Sequence, residues 1–404
     1  MTERAAGAAS APPGSRKILA ILFGVVIVDL VGFGVVMPIL PFWAREHGAS
    51  PTLLGFVFTA YAAAQFVCAP LWGRLSDRIG RRRVMLCTIA GTAVSLACLG
   101  LAGSLAAIFA ARLLSGAFAA NIGVASAYIA DVTGEEERTR WMGVLGASFG
   151  VGFVLGPALG GLLAPFGHAV PLLVAAGLGT ANLVFAAAAL REPPRHAGAG
   201  RGAMRRSVVL RDPLLRRLCL VNLAFSLGVT QLETMFAFFM QDRFGYGERQ
   251  VGFFLAAMAV LMGGIQGGGM RALSARFSER GLVLAGGALL ALGFGLLPGA
   301  HSLPALLAAL VLAAVGRAVF QPALLGMTSL AAAASARGAA MGTFQAAAAI
   351  ARVAGPLAAG WLYDRALGGP FWLAAALCAL SVWLARSLPA RVGDSGAAAA
   401  VAAG

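Results

Sequence analysis

Gly73-Arg74-Leu75-Ser76-Asp77-Arg78-Ile79-Gly80-Arg81-Arg82-Arg83 lies between two long apolar runs, residues 53–72 and 84–105. Each run is long enough to cross a membrane as a helix. The arginines by themselves fit a loop that is held at the anionic inner face of a membrane. Gly73 and Gly80 permit a tight turn, and Asp77 can accept hydrogen bonds from a helix end or pair with an arginine. A plain topology loop and a conformational latch are therefore both open interpretations.

The composition indicates a membrane protein built of helices. Apolar residues make up 59% of the chain and charged residues 12%, whereas an average soluble domain has about 25% charged residues. The net charge of +15 would suit a nucleic-acid partner, but the basic residues fall in short segments between apolar runs, so we expect a lipid membrane and no nucleic acid. Five cysteines lie inside apolar segments without a CxxC pair, and we expect no disulfide, metal site or cofactor.

The apolar runs predict an all-α polytopic membrane protein with about twelve transmembrane helices in two halves. The predicted helices are 18–43, 52–73, 84–104, 105–130, 140–164, 168–190, 214–240, 250–270, 281–299, 302–331, 338–362 and 369–388. The predicted domains are a disordered N-terminus (1–16), an N-terminal six-helix half (17–190), a cytoplasmic linker (191–213), a C-terminal six-helix half (214–390) and a disordered tail (391–404).

The basic residues also predict the orientation. With a cytoplasmic N-terminus, 24 of the 31 Lys and Arg residues fall in inner segments and 4 in outer loops. This bias places both termini in the cytoplasm and the chain in the cytoplasmic (inner or plasma) membrane.

The two halves repeat each other. Leu75-Ser76-Asp77-Arg78 matches Leu273-Ser274-Ala275-Arg276, and Gly156-Pro157 matches Gly355-Pro356. The second copy has Ala275 where the first has its acid, so any function of the acid belongs to the first copy.

The first predicted helix contains an acid near the middle of its span. Asp29 begins Asp29-Leu30-Val31-Gly32-Phe33-Gly34-Val35-Val36-Met37-Pro38-Ile39-Leu40-Pro41. A charge at the bilayer centre costs at least ~2.5 kcal/mol, so a functional acid that faces a cavity is one interpretation. Buried carboxyl groups can bind and release protons near neutral pH. The alternative is an acid that only forms hydrogen bonds between helices.

The fourth and fifth predicted helices contain further unusual residues. Arg112 and Gly116 precede Ala127-Tyr128-Ile129-Ala130-Asp131, and Asp131 can dock on the arginines of residues 73–83. The fifth helix contains Gly146, Gly150, Gly156, Pro157, Gly160 and Gly161. Small residues at this density allow close helix packing. The pattern Gly146-x-Ser148-x-Gly150 mimics a hydrolase motif, but no strand precedes it and no partner residues are evident, so we do not expect an enzyme.

These motifs together resemble those of the major facilitator superfamily, and most of all its twelve-helix drug/proton antiporters, including the tetracycline exporters. The resemblance implies two pseudo-symmetric six-helix halves around a central substrate path. It implies a latch formed by Gly73, Asp77, Arg78, Gly80, Arg81 and Asp131. It also implies proton coupling through Asp29 and Arg112, although a static ion pair is the alternative. The fifth-helix pattern resembles the signature of antiporters, which favours export.

The second half is less typical of that family. Candidate substrate-binding residues there are Gln231, Glu233, Phe236, Arg317, Gln321, Gln345 and Arg352. A structural network of the charged members is the alternative. Tetracycline exporters have a histidine in the eighth helix and an acid in the ninth, where this chain has Gly263-Gly264-Ile265-Gln266 and Gly286-Gly287. A tetracycline–metal substrate is therefore not favoured.

The expected function is proton-coupled export of small amphipathic molecules by a monomer that exchanges protons for its small-molecule substrate. Transport of a metabolite such as a sugar or an organic anion is the first alternative. A membrane receptor that does not transport is the second.

Overall fold

The computed structural model describes residues 15–193, 209, 211–333 and 336–390. Residues 1–14 of the predicted N-terminal tail, the predicted C-terminal tail and most of the predicted linker lie outside these residues. Ser15 and Arg16, predicted as part of the disordered N-terminus, begin the first helix. Within them every assigned helix or strand is a helix. The α-helices are α1 (Ser15–Glu46), α2 (Pro51–Ile79), α3 (Arg81–Gly100), α4 (Leu105–Phe118), α5 (Asn121–Val132), α6 (Glu135–Leu163), α7 (Ala169–Ala189), α8 (Pro213–Phe244), α9 (Glu248–Gly264), α10 (Met270–Arg276), α11 (Glu279–Leu296), α12 (Leu303–Ala331), α13 (Arg337–Tyr363) and α14 (Gly369–Ala385).

The helices agree with the predicted membrane spans. In the described part of the chain, 11 helical segments are long and apolar enough to cross a membrane, with α4 and α5 forming one segment and α9 to α10 another. The shorter apolar helix α14 occupies the position of the twelfth predicted span. The prediction of an all-α, multi-pass membrane protein is confirmed.

The polar stretch at residues 73–83 is helical where the sequence suggested a loop. Helix α2 continues to Ile79, and α3 begins at Arg81. The turn is confined to Gly80, whose φ of 109° lies in the region that glycine adopts without strain. A Cβ atom at this position would also lie 2.5 Å from the carboxylate of Glu192. One glycine therefore reverses the chain, and the charged side chains project from two regular helices.

Two predicted spans are irregular. The fourth is interrupted at Ala119 and Ala120, between α4 and α5, although neither residue is a glycine or a proline. The eighth contains a π-helical turn over Ile265–Gly269, which joins α9 to α10. Both irregularities lie within predicted spans, where freed backbone groups need other partners.

The chain forms two compact units. Unit 1 contains the described residues within Met1–Met37 and Ala64–Ala199, and unit 2 those within Pro38–Ala63 and Gly200–Gly404. In unit 1, α3 packs against α4, α5 and α7. In unit 2, α8 packs against α13 and α14, and α11 packs against α12 and α14. The first two helices thus contribute residues to both units.

Candidate functional site

Asp29 lies near the middle of α1 and is hydrogen-bonded within unit 1. The Nδ2 group of Asn121, the first residue of α5, donates to Asp29 Oδ1 over 2.8 Å. The hydroxyl of Thr88 on α3 donates to the Oδ1 atom of Asn121. Three polar side chains from three helices are therefore connected inside an apolar bundle.

The interruption before Asn121 is supported by side chains of α2. Trp72 Nε1 donates to the carbonyl of Ala117 over 2.6 Å, and Gln65 Nε2 donates to that of Ala119 over 3.0 Å. These donors satisfy carbonyl groups that a continuous helix would have paired internally. Specific side-chain hydrogen bonds thus stabilise the break, and the break places the start of α5 beside Asp29 of α1.

Arg112 lies on α4 and is almost fully buried, with 3% of its surface exposed. A guanidinium group stays protonated in proteins, so α4 carries a permanent charge into the interior of the unit. Unit 1 therefore holds both residues of the predicted proton-coupling pair inside its spans.

Most of the predicted latch residues form a cluster at the α2–α3 turn. Arg81 contacts two acids at once, with Nη1 2.5 Å from Asp77 Oδ1 and Nε 2.8 Å from Asp131 Oδ2. Its Nη1 also donates to Ser76 Oγ over 2.6 Å. Arg78 lies in the last turn of α2 and is exposed, and Gly73 lies more than one turn earlier in the same helix. Arg81 thereby ties the end of α5 to the end of α2.

Glu192 completes this α2–α3 cluster and was not identified from the sequence. Its carboxylate accepts the backbone N–H groups of Arg81 over 2.5 Å and of Arg82 over 3.2 Å. A carboxylate at the first turn of a helix satisfies unpaired N–H groups and interacts favourably with the helix dipole. The residue falls in the predicted linker, where its partners are more than 100 positions away in the chain, so no local pattern indicates its role.

The glycines of the fifth span have two different environments. A Cβ atom at Gly156 would lie 2.5 Å from the Cα of Gly34 on α1 and 2.8 Å from the carbonyl oxygen of Val31. Gly152, absent from the predicted set, makes a similar approach to Leu30. Gly146 and Gly150, by contrast, have no atom within 4 Å of such a Cβ. Pro157, Gly160 and Gly161 are buried next to the contact. Only part of the motif therefore packs α6 against α1.

The candidate substrate residues of unit 2 divide into a buried group and a group that is half-buried or exposed. Gln231 is fully buried, and its Nε2 donates to the carbonyl oxygens of Leu227 and Gly355, which ties α8 to α13. Phe236 is also buried. Glu233 and Arg317 form an ion pair of 2.7 Å between α8 and α12, with side chains 32% and 28% exposed. The exposed members of the predicted set also include Gln321, Gln345 and Arg352.

A second polar cluster in unit 2, the Arg45 cluster, was missed by the sequence analysis. Arg45 at the end of α1 makes two hydrogen bonds to Asp242 on α8, of 2.7 and 3.0 Å, and a third to Gln241 of 2.6 Å. Tyr363 at the end of α13 donates to the same carboxylate over 2.8 Å. The guanidinium also lies 3.8 Å from the ring centre of Phe238. The cluster therefore joins the α1–α2 hairpin to α8 and α13.

Close backbone contacts extend this junction. A Cβ atom at Gly55 of α2 would lie 2.4 Å from the carbonyl oxygen of Pro356, and one at Gly360 would lie 2.3 Å from that of Pro51. The backbone N–H and hydroxyl of Thr52 both donate to Asp364. Among the described residues, no group of three or more His, Cys, Asp or Glu side chains is placed to hold a metal ion.

Comparison with known proteins agrees with this architecture. The sequence profile of the Major Facilitator Superfamily matches residues 22–280 and 270–403, which together cover most of the chain. The chain belongs to the Major Facilitator Superfamily.

Individual proteins resemble the chain along nearly its whole length. The tetracycline resistance protein, class G, of Vibrio anguillarum is 34% identical over 377 residues, which cover 90% of this chain and 95% of that protein. The crystal structure of the human organic anion transporter MFSD10 (TETRAN) has a TM-score of 0.70 and 28% identity, and covers 92% of this chain and all of that one. A bacterial homologue of the human lysosomal transporter Spinster shares the fold, with a TM-score of 0.74 and 16% identity over 93% of each chain.

Proposed function

We propose that this chain is a proton-driven antiporter that exports small amphipathic molecules across the cytoplasmic membrane. The observation that carries the proposal is Asp29, a carboxyl group in the interior of a membrane span that has an amide donor from a broken helix. Ionisable residues inside spans are costly and usually belong to substrate or proton pathways. The similarity to a tetracycline resistance protein over 90% of the chain supports export of a drug-like molecule.

The exposed polar residues of unit 2 are the proposed substrate site. Arg317 and Gln321 lie four residues apart on α12, and Gln345 and Arg352 lie seven apart on α13, so each pair shares a helix face. Polar side chains of this kind at membrane depth are tolerated where they border a water-filled cavity. Gln231 and Phe236 would pack beneath this site and hold its helices together, because both side chains are buried.

In the proposed cycle, Asp29 takes up a proton from outside, and substrate binding from the cytoplasm displaces that proton to the inner side. Arg112 offsets the charge of the acid when the proton is absent. Alternating access exposes the substrate site to one side at a time, and the α2–α3 cluster acts as the latch of one state. The membrane potential supplies about 2.3 kcal/mol per charge per 100 mV. We further propose a monomer with both termini in the cytoplasm, no catalytic activity, and no metal or cofactor.

A second substrate class is favoured by the charges of unit 2. Arg317 and Arg352 provide two permanent positive charges against the one carboxylate of Glu233. One guanidinium is therefore in excess, which suits an amphipathic substrate with an anionic group. The similarity to a human organic anion transporter, 28% identical with a TM-score of 0.70, supports this alternative.

The proposal is tested by proton flux in proteoliposomes that hold an imposed pH gradient. Lipophilic cations, tetracycline and small organic acids are added in turn to wild type, Asp29→Asn and a control, Asp212→Asn. The control removes one carboxylate but preserves the cap of α8, because asparagine caps helices as well as aspartate does. We expect substrate-triggered proton movement in wild type and the control and its loss in Asp29→Asn. Substrate movement without proton movement in wild type would contradict the coupling.

A further inference from the structure

Asn121 lies between Asp29 and Thr88 and contacts both through its side-chain amide. Its Nδ2 atom is 2.8 Å from Asp29 Oδ1, and its Oδ1 atom accepts from the Thr88 hydroxyl. Asn121 is 5% exposed and Thr88 is fully buried. In such surroundings a donor or acceptor without a partner is costly, so the orientation of the amide is set by its two neighbours.

When Asp29 is ionised, only one orientation of the Asn121 amide gives both Asp29 and Thr88 a hydrogen-bond partner. A carboxylate can accept hydrogen bonds but cannot donate them, so the NH₂ group of Asn121 must point toward Asp29. The carbonyl oxygen of the amide then points toward Thr88, whose hydroxyl must donate to it. This is the arrangement in the structure.

When Asp29 is protonated, the reverse orientation of the amide also gives both Asp29 and Thr88 a hydrogen-bond partner. The carboxylic acid now donates to the amide oxygen, and the NH₂ group donates to the oxygen of Thr88. The threonine hydroxyl is free to donate elsewhere, and the carbonyl oxygens of Val84 and Met85 both lie 3.0 Å from it. A half-turn of one amide therefore satisfies either protonation state.

We propose that Asn121 and Thr88 form a reversible hydrogen-bond relay that accommodates both protonation states of Asp29, which makes Asn121 a positioning residue for proton exchange. The inference rests on the proposed proton-coupled function. The proton binds to and leaves from a carboxyl oxygen of Asp29, and the relay changes hydrogen bonds only. Because Asn121 is the first residue after the break in the fourth span, its amide is attached at the point where the helix is not continuous.

Other charged or titratable groups on the surrounding helices have different hydrogen-bond partners from those of the relay. Tyr128 donates to the carbonyl of Arg191, and Arg82 donates to the carbonyls of Leu190 and Ala187. Arg81 contacts Asp77 and Asp131 at the α2–α3 turn. Arg112 is the other charged residue in the interior of these spans, and it keeps its charge throughout.

The relay is tested by substitutions that keep shape and change hydrogen bonding. Thr88→Val replaces the hydroxyl by a methyl group, and Thr88→Ser retains the hydroxyl. Asn121→Leu removes the amide at similar volume. Thr92→Val, one turn further along α3, is the control. Each variant is reconstituted, and protons moved per substrate are measured with the substrate that wild type transports, alongside unfolding in detergent.

We expect Asn121→Leu to lower the protons moved per substrate, because the lost hydrogen bond to a charged group shifts the protonation equilibrium of Asp29 by about tenfold or more. Thr88→Val should lower this ratio as well, and Thr88→Ser should recover most of the loss. The relay alone would be overturned if Thr88→Val moved as many protons per substrate as the Thr92→Val control while Asp29→Asn moved none. Should wild type itself move substrate without protons, both the relay and the proposed function fail. If Asn121→Leu does not fold, the Thr88 pair decides the question.

Discussion

Gly156→Ala should destabilise the protein, whereas Gly150→Ala on the same helix should not. The new methyl carbon at Gly156 would lie 2.5 Å from the Cα and 2.8 Å from the carbonyl carbon of Gly34, and 2.8 Å from the carbonyl oxygen of Val31. All three are backbone atoms of α1, so the clash can be relieved only by separating two helices. Overpacking of this kind costs about 1–3 kcal/mol.

The matched substitution, Gly150→Ala, is expected to stabilise the protein. A Cβ atom at Gly150 would meet no atom within 4 Å, and Gly150 lies inside the same helix. Alanine is favoured over glycine in a helix interior by about 0.5–1 kcal/mol. The two variants should therefore differ by roughly 1.5–4 kcal/mol, the sum of the two effects.

The free energy of unfolding in mixed detergent micelles, titrated with sodium dodecyl sulfate, measures this difference. Gly34→Ala is the reciprocal test, since its Cβ would lie 2.8 Å from the carbonyl oxygen of Gly152 and 2.9 Å from the Cα of Gly156. Equal stabilities of Gly156→Ala and Gly150→Ala would refute the assignment of the α1–α6 contact to Gly34 and Gly156.

Three further outcomes follow from the polar contacts. Arg81→Ala should destabilise the protein by about 1.5–3 kcal/mol in detergent unfolding, because hydrogen bonds to two carboxylates are lost, whereas Arg83→Ala, at an exposed position, should change stability by less than about 0.5 kcal/mol. Trp72→Phe removes the donor to a carbonyl at the break of the fourth span and should cost about 1–3 kcal/mol by the same measurement. Arg45→Asp should reduce transport, and the charge swap Arg45→Asp with Asp242→Arg should restore part of it in the flux assay.

Each of these outcomes has a result that would contradict it. Arg81→Ala as stable as Arg83→Ala would mean that the α2–α3 cluster contributes nothing measurable. An unchanged unfolding free energy in Trp72→Phe would mean that water or another group satisfies the Ala117 carbonyl. A charge swap no better than Arg45→Asp alone would show that the contact between the two residues is not what transport requires.

The spans were predictable because apolar length alone specifies a membrane helix. Asp29 and Arg112 stand out for a related reason, since a charge in such a segment is conspicuous against its neighbours. The interruption at Ala119 and Ala120 was not predictable, because alanine is the best helix former and the nearest glycines, Gly116 and Gly123, lie three residues to either side. It depends on contacts with segments distant in the chain, namely the donors from α2 and Gly91 on α3, where the ring of Phe118 occupies the space that a Cβ would take.

Asn121, Glu192 and Arg45, whose contacts the sequence analysis did not predict, differ in how conspicuous they are in the sequence. Asn121 is a polar side chain in an apolar span, a pattern that indicates a candidate partner for an acid. Glu192 and Arg45 sit at helix ends, where charged residues are common and carry little information. The role of each depends on which helices meet, and that is a tertiary property.

The break in the fourth span also places a partial charge of the backbone inside the membrane span, in addition to the charges of ionisable side chains. The N-terminal end of a helix carries roughly half a positive elementary charge from its aligned peptide dipoles. Helix α5 begins at Asn121, the residue that contacts Asp29, so this partial charge lies beside the acid. Unlike a lysine or a histidine, a peptide dipole cannot be titrated away or removed by a single side-chain substitution. The backbone itself therefore supplies a permanent partial positive charge, which stabilises the carboxylate by about 0.3–1 kcal/mol.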